Sequence, residues 1–163
     1  MKTRKITTLG LSVALALILS YVESLLPPLM AVPGVKAGLP NIVILFLLYR
    51  YGWKEAAAVS GLRLLLTAAL FTGFAAFFYG LSGAVLSLLG SALLRRSDRF
   101  SPLGVSAAGG VLHNLGQIAL AAFVLDSGYI FAYLPVLLLS GTVAGALVGL
   151  LAGILIRRAD VGA

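Results

Sequence analysis

Cysteine is absent from this chain, which excludes disulfides, thiolate nucleophiles and cysteine-ligated metals. Histidine occurs once, so a histidine-based metal cluster is excluded too. Acidic residues number five (Glu23, Glu55, Asp98, Asp126 and Asp160) and are scattered along the chain. They offer no pair of the kind that holds Mg²⁺ against a diphosphate. No glycine-rich phosphate loop ending in lysine is present, so ATP binding and hydrolysis are not expected. With one histidine and no acid near its depth, no serine has a base and an orienting partner. The chain reads as non-enzymatic, with no cofactor and no metal.

What fills the chain instead is apolar. Of 163 residues, 61% are hydrophobic and only 10% charged, and the mean hydropathy is +1.10. A soluble domain of this size would have too little polar surface to face water. We therefore expect an all-α, polytopic integral membrane protein, a single transmembrane domain over residues 1–163 lying in the lipid bilayer. The basic head Met1-Lys2-Thr3-Arg4-Lys5 precedes an apolar run too long for a signal peptide and lacking a small-residue cleavage site, so it reads as a retained first helix.

Six hydrophobic segments are predicted, over 6–26, 39–51, 55–71, 74–94, 103–125 and 133–156. Pro27-Pro28 ends the first, Pro33-Gly34 keeps the following loop from being helical throughout, and Gly73 marks the turn after the third. The second segment is short for a full span at about 1.5 Å per residue. With the N-terminus cytoplasmic, the inner side receives Lys2, Arg4, Lys5, Arg50, Lys54, Arg95, Arg96, Arg99, Arg157 and Arg158, and the outer side receives Lys36. This positive-inside bias puts both termini in the cytoplasm. The net charge of +7 is thus mostly a topology signal, and no nucleic-acid partner is expected.

Two kinds of residue stand out within the apolar segments. The first is small residues four apart, which let helix backbones approach closely. Gly10/Ala14 and Ser12/Ala16 on the first helix fit bundle packing or contact with a separate membrane protein. Gly141, Gly145, Gly149 and Gly153 on the sixth fit internal packing.

The second kind is polar. His113-Asn114-Leu115-Gly116-Gln117 interrupts an otherwise apolar run, and burying such groups without partners costs roughly 1–3 kcal/mol each. Gln117 lies one turn outward of His113 on the same helical face, while Asn114 is offset by about 100°. Arg63 lies about 13 Å in from Lys54, near the midplane and level with His113. Helical carbonyls, Glu23 and an anionic ligand all remain open as its partner. Glu23, Lys36, Asn41, Tyr79 and Ser82 fall in the outer half, whereas the inner half has almost nothing polar. A channel or proton path needs polar groups at every depth. A dead-end cavity opening outward needs them only to its floor, and that is what the pattern favours.

The segments Pro33-Gly34-Val35-Lys36-Ala37-Gly38-Leu39-Pro40-Asn41-Ile42-Val43, Arg63, Tyr79-Gly80-Leu81-Ser82-Gly83 and His113-Asn114-Leu115-Gly116-Gln117 resemble a bacterial membrane family. It is known as heptaprenyl diphosphate synthase component I or the Gx transporter family. The resemblance covers nearly the whole chain and departs at Pro40, where a small residue is expected. In length and layout the chain is also similar to the substrate-binding S components of energy-coupling factor (ECF) vitamin transporters. That likeness implies an outward-facing pocket and a small-residue surface on the first helix, here Gly10, Ser12, Ala14 and Ala16, that docks on a transmembrane coupling subunit driven by cytoplasmic ATPases. The expectation is a substrate-binding subunit of an uptake transporter in the bacterial cell membrane. It captures a small anionic or polar-headed metabolite through Glu23, Lys36, Asn41, Arg63, Tyr79, Ser82, His113, Asn114 and Gln117. The synthase label implies the alternative, a non-catalytic membrane scaffold for a prenyl diphosphate synthase or an isoprenoid-quinone pathway.

Overall fold

In a computed structural model, which describes residues 2–26 and 37–161, the chain is built of helices and turns. Helix α1 spans Lys2–Leu25, α2 Asn41–Arg50, α3 Trp53–Thr67, α4 Gly73–Arg96, α5 Pro102–Leu125 and α6 Leu134–Val161. A π-helical turn, Ala68–Thr72, joins α3 to α4, and a 3₁₀ segment, Gly128–Tyr133, leads into α6. Local chemistry sets several limits. Ser101 caps α5 by accepting from the Gly104 amide at 3.3 Å, and Pro102 follows at the first helical position, where its missing N–H costs nothing. Asp126 ends the same helix in a left-handed conformation, φ 46°. Pro40 is fully buried at the N-cap of α2 with helical φ, so the departure noted at that position starts the helix rather than breaking it.

Four helical runs are long and apolar enough to cross a membrane: Thr3–Leu25, Trp53–Arg96, Pro102–Leu125 and Gly128–Ala159. The count differs from the six segments expected, for two reasons. At ten residues α2 rises only about 15 Å, half the hydrocarbon thickness. The third and fourth segments are contiguous, a single 44-residue run through the π-helical turn. That run is not straight. Gly73 adopts φ +79°, and a Cβ placed on Gly80 would lie 2.9 Å from Cδ2 of Leu64, so α4 folds back along α3. Large exposed side chains such as Leu11, Leu15, Phe78, Leu93 and Leu139 form the apolar exterior that lipid requires.

The tightest packing joins α5 to its neighbours. A Cβ on Gly110 would sit 2.2 Å from the Gly141 carbonyl oxygen, and one on Gly145 2.4 Å from the Ser106 carbonyl oxygen. One on Gly116 would sit 2.6 Å from the Ser82 carbonyl oxygen on α4. Asn114 adds a polar tie, its Nδ2 donating to the Leu137 carbonyl at 2.6 Å and to Ser140 Oγ at 3.4 Å on α6. The glycine stripe of α6 is therefore an internal seam.

The main apolar core lies toward the Arg95 end of the bundle. There Leu47 and Leu48 of α2 meet Ala16, Ala56, Val59, Val105 and Ala152. Arg95 closes this end by donating to the Leu48 carbonyl and, at 2.8 Å, to the Tyr49 carbonyl, with its guanidinium 5.1 Å from the Tyr49 ring. These are carbonyls that the C-terminus of α2 leaves without helical partners. Lys5 Nζ pairs with Glu55 Oε1 at 2.5 Å, tying α1 to α3.

The small-residue surface expected on α1 is divided. Gly10 and Ala14 are exposed, whereas Ser12 (9%) and Ala16 (0%) are buried against the bundle. This corrects the docking surface. The two pairs are offset by two residues, about 200° around the helix, so they face opposite ways and Ser12 and Ala16 are closed to a separate protein.

The seam generates a direct test. Gly145→Ala forces backbone atoms apart and is expected to cost about 1–3 kcal/mol, read as earlier thermal unfolding of the purified protein in detergent. Gly10→Ala, with nothing within 4 Å of the new methyl, is expected to leave unfolding unchanged or slightly later. Equal behaviour of the two variants would sink the backbone-contact account.

Candidate functional site

Helix α3 turns one face inward at regular helical spacing: Ala56, Val59, Ser60, Arg63, Leu64 and Thr67 are all buried. Arg63 cannot leave that face without rotating the whole stripe into lipid. It is 7% exposed and lines a cavity of about 160 Å³ between the helices. A water needs roughly 10–15 Å³ measured in this way, so the space takes several waters or a small metabolite.

The polar environment of Arg63 is incomplete. Its Nη1 donates to Ser20 Oγ of α1 at 3.1 Å, and that hydroxyl itself donates to the Ala16 carbonyl at 2.9 Å. Its Nε is buried with no partner, as is Oγ1 of Thr67 one turn further along. A guanidinium carries five N–H donors in a fixed fork. An orphaned buried donor on a charged group is costly enough to call for an acceptor. Among the described residues no ion pair supplies one. Glu23 acts on Arg63 electrostatically across the cavity. Its Oε1 accepts from the backbone amides of Gly38 and, at 3.3 Å, Leu39. Glu23 therefore anchors the entry to α2 at the Gly73 end of the bundle while still lining the cavity.

The cavity brings together Glu23, Asn41, Arg63, His113, Asn114 and Gln117 from four helices. The His113 ring lies against α4, since a Cβ on Gly83 would fall 2.9 Å from both its Nδ1 and its Cε1. Gln117 follows one turn along the same face. Asn114 reaches the cavity too, but its amide nitrogen is held by α6, which makes it a tie between helices as much as a wall. Tyr79 and Ser82 lie outside the cavity lining, a correction to their expected role. The Ser82 hydroxyl donates to the Tyr79 carbonyl at 2.8 Å, satisfying itself locally on α4. Lys36 lies outside the described residues.

The serine and threonine hydroxyls were missed. Ser20, Ser60, Thr67, Ser87, Ser91 and Ser106 all line the cavity. Ser87, Ser91 and Ser106 carry it past Arg63 toward the Arg95 end, so that half is more polar than expected. The available signal was spacing. Ser60, Arg63 and Thr67 share one helical face, and so do Ser87 and Ser91.

Among the described residues the cavity is lined by a guanidinium, an imidazole, a carboxylate, three side-chain amides and several hydroxyls, an assortment suited to holding an anionic or strongly hydrogen-bonding group. Among the described residues no three histidine or acidic side chains gather to hold a metal.

Comparison with curated proteins and with solved structures returns no match. A family model described as heptaprenyl diphosphate synthase component I matches residues 12–155, which cover α2 to α5 whole, most of α1 and α6, and every described cavity residue named above. The chain belongs to the heptaprenyl diphosphate synthase component I family.

Proposed function

We propose that this protein is the substrate-capture membrane subunit of a bacterial uptake system, taking a small anionic or polar-headed metabolite from the outer side. The observation that carries this reading is Arg63, more than nine-tenths buried, lining a cavity and holding a guanidinium nitrogen without a partner. An anionic ligand in the cavity offers acceptors to this guanidinium, whose hydrogen-bond partner among the described residues is one serine hydroxyl, and His113, Gln117 and Asn41 line the space around it. The Lys5–Glu55 pair sets the first turns of α1 and α3 on one side of the bundle, so the chain between them returns across it although α2 alone is too short to span. The Lys and Arg bias then puts both termini in the cytoplasm and the Gly73 end outside. In this orientation the apolar core around Leu47 and Leu48 forms a floor on the cytoplasmic side. The protein does no chemistry on its ligand. Energy for uptake comes from a separate transmembrane coupling subunit with cytoplasmic ATPases, and Gly10 and Ala14 are the small-residue pair of α1 that stays open to such a partner.

The family description favours a second reading, a non-catalytic membrane subunit of a prenyl diphosphate synthase. There the exposed Arg96 and Arg99 are the cytoplasmic contact, Arg95 being engaged with α2. Co-purification separates the two. Recovery of ATPases with a coupling subunit supports capture, and recovery of a soluble prenyl synthase supports the scaffold.

Arg63→Met tests the capture reading directly. Without ligand this variant is expected to melt no earlier than wild type, because it removes an incompletely satisfied buried charge. In a metabolite screen, whichever compound raises the wild-type melting temperature should fail to raise that of Arg63→Met. A compound that stabilises both equally, or a broad screen that stabilises neither, defeats the proposal.

A further inference from the structure

Between Arg63 and the apolar floor the cavity continues as an arm where serine hydroxyls stand among apolar side chains such as Leu45 and Leu88. Ser60 lies one turn from Arg63 on α3, Ser87 and Ser91 line the cavity from α4, and Ser106 lines it from α5. Ser91 (6%) and Ser106 (7%) are as buried as the hydrophobic core. Buried helical serines commonly satisfy themselves on a carbonyl one turn back, as Ser12 and Ser20 do. Among the described residues, Ser60, Ser87, Ser91 and Ser106 make no such bond, so their hydroxyls retain capacity to donate and accept. Two of them converge. A Cβ on Gly109 would lie 2.6 Å from Ser91 Oγ and 3.2 Å from Ser87 Oγ, so the missing side chain at Gly109 leaves both hydroxyls their space. From His113 down to Ser106 is two helical turns, about 10 Å. Arg63, whose Nε is buried without a partner, lines the cavity above these serines.

We propose that the arm is a subsite for hydroxyl groups, so that the ligand is an acid with a polyhydroxylated chain. Its anionic group sits on Arg63 and its chain runs toward Ser87, Ser91 and Ser106. The proposal rests on the capture reading above and adds the chemical class of the captured molecule. An apolar chain in the same place would strip water from four hydroxyls and return nothing. A hydroxylated chain replaces those bonds one for one.

The test uses the full-length protein in detergent and three probes: gluconate, hexanoate and sorbitol. Gluconate is expected to raise the melting temperature, hexanoate to bind at least tenfold more weakly, and sorbitol, which lacks the anion, to have no effect at the same concentration. Ser91→Ala and Ser106→Ala, on different helices, are each expected to weaken gluconate roughly tenfold and to leave hexanoate unchanged. Arg63→Met abolishes binding of both acids. If hexanoate binds as tightly as gluconate and both need Arg63, the hydroxyl arm is wrong and the capture reading stands. Serine variants that bind gluconate like wild type overturn the arm in the same way. If neither acid shifts melting, the ligand class is wrong, and if a metabolite screen also finds nothing that depends on Arg63, the capture reading falls with it. The comparison of gluconate with hexanoate needs no variant, so it decides even if a serine substitution impairs folding.

Discussion

Where α5 meets α4 and α6 the backbones themselves touch. Glycines at 110, 116, 141 and 145 bring carbonyl oxygens to positions that a methyl group would occupy. In lipid, where burying apolar surface gains little for one helix over another, such contact is a main source of helix association. It makes α4, α5 and α6 a slab with little freedom to slide. Everything that faces α1, α2 and α3 across the cavity inherits that rigidity. The His113 ring rests on Gly83, Gln117 follows one turn along, and Ser87 and Ser91 converge beside Gly109. The opposing wall is held differently, by side chains: the Lys5–Glu55 ion pair and the Arg63–Ser20 hydrogen bond between α1 and α3.

Charge is placed so that each cation has a different degree of satisfaction. Arg95 finds two carbonyls and an aromatic ring at the end of α2. Lys5 finds a carboxylate at the surface. Arg63, deepest of the three, finds one serine hydroxyl and is left with an unpartnered nitrogen. In a bundle that satisfies Arg95 so fully, the incomplete Arg63 marks where the fold gives up stability for something else.

Much of this was legible in the chain. The fifth segment, expected over 103–125, forms α5, Pro102–Leu125, and Gly73 turns the chain as its position implies. Arg63, His113, Gln117, Glu23 and Asn41 meet in one cavity because depth along a helix follows from counting residues. Azimuth was harder. Tyr79 and Ser82 lie at the right depth but outside the lining, and Ser12 and Ala16 carry the right small-residue spacing on the buried side of α1. The pattern on α4 is weak because nearly every face is apolar, so period alone does not say which face is inside. The serines escaped for a related reason. A hydroxyl in a membrane helix usually bonds its own backbone, and only three-dimensional convergence distinguishes those that do not.

Leu48 has two neighbours of opposite kind. Its side chain lines the cavity, and its carbonyl is gripped by Arg95 from the far end of the bundle. The bottom of the vessel is thus bolted from outside the vessel, at a residue flanked by the exposed Arg96. Occupancy above cannot push this floor open without unfastening a bolt that it does not touch.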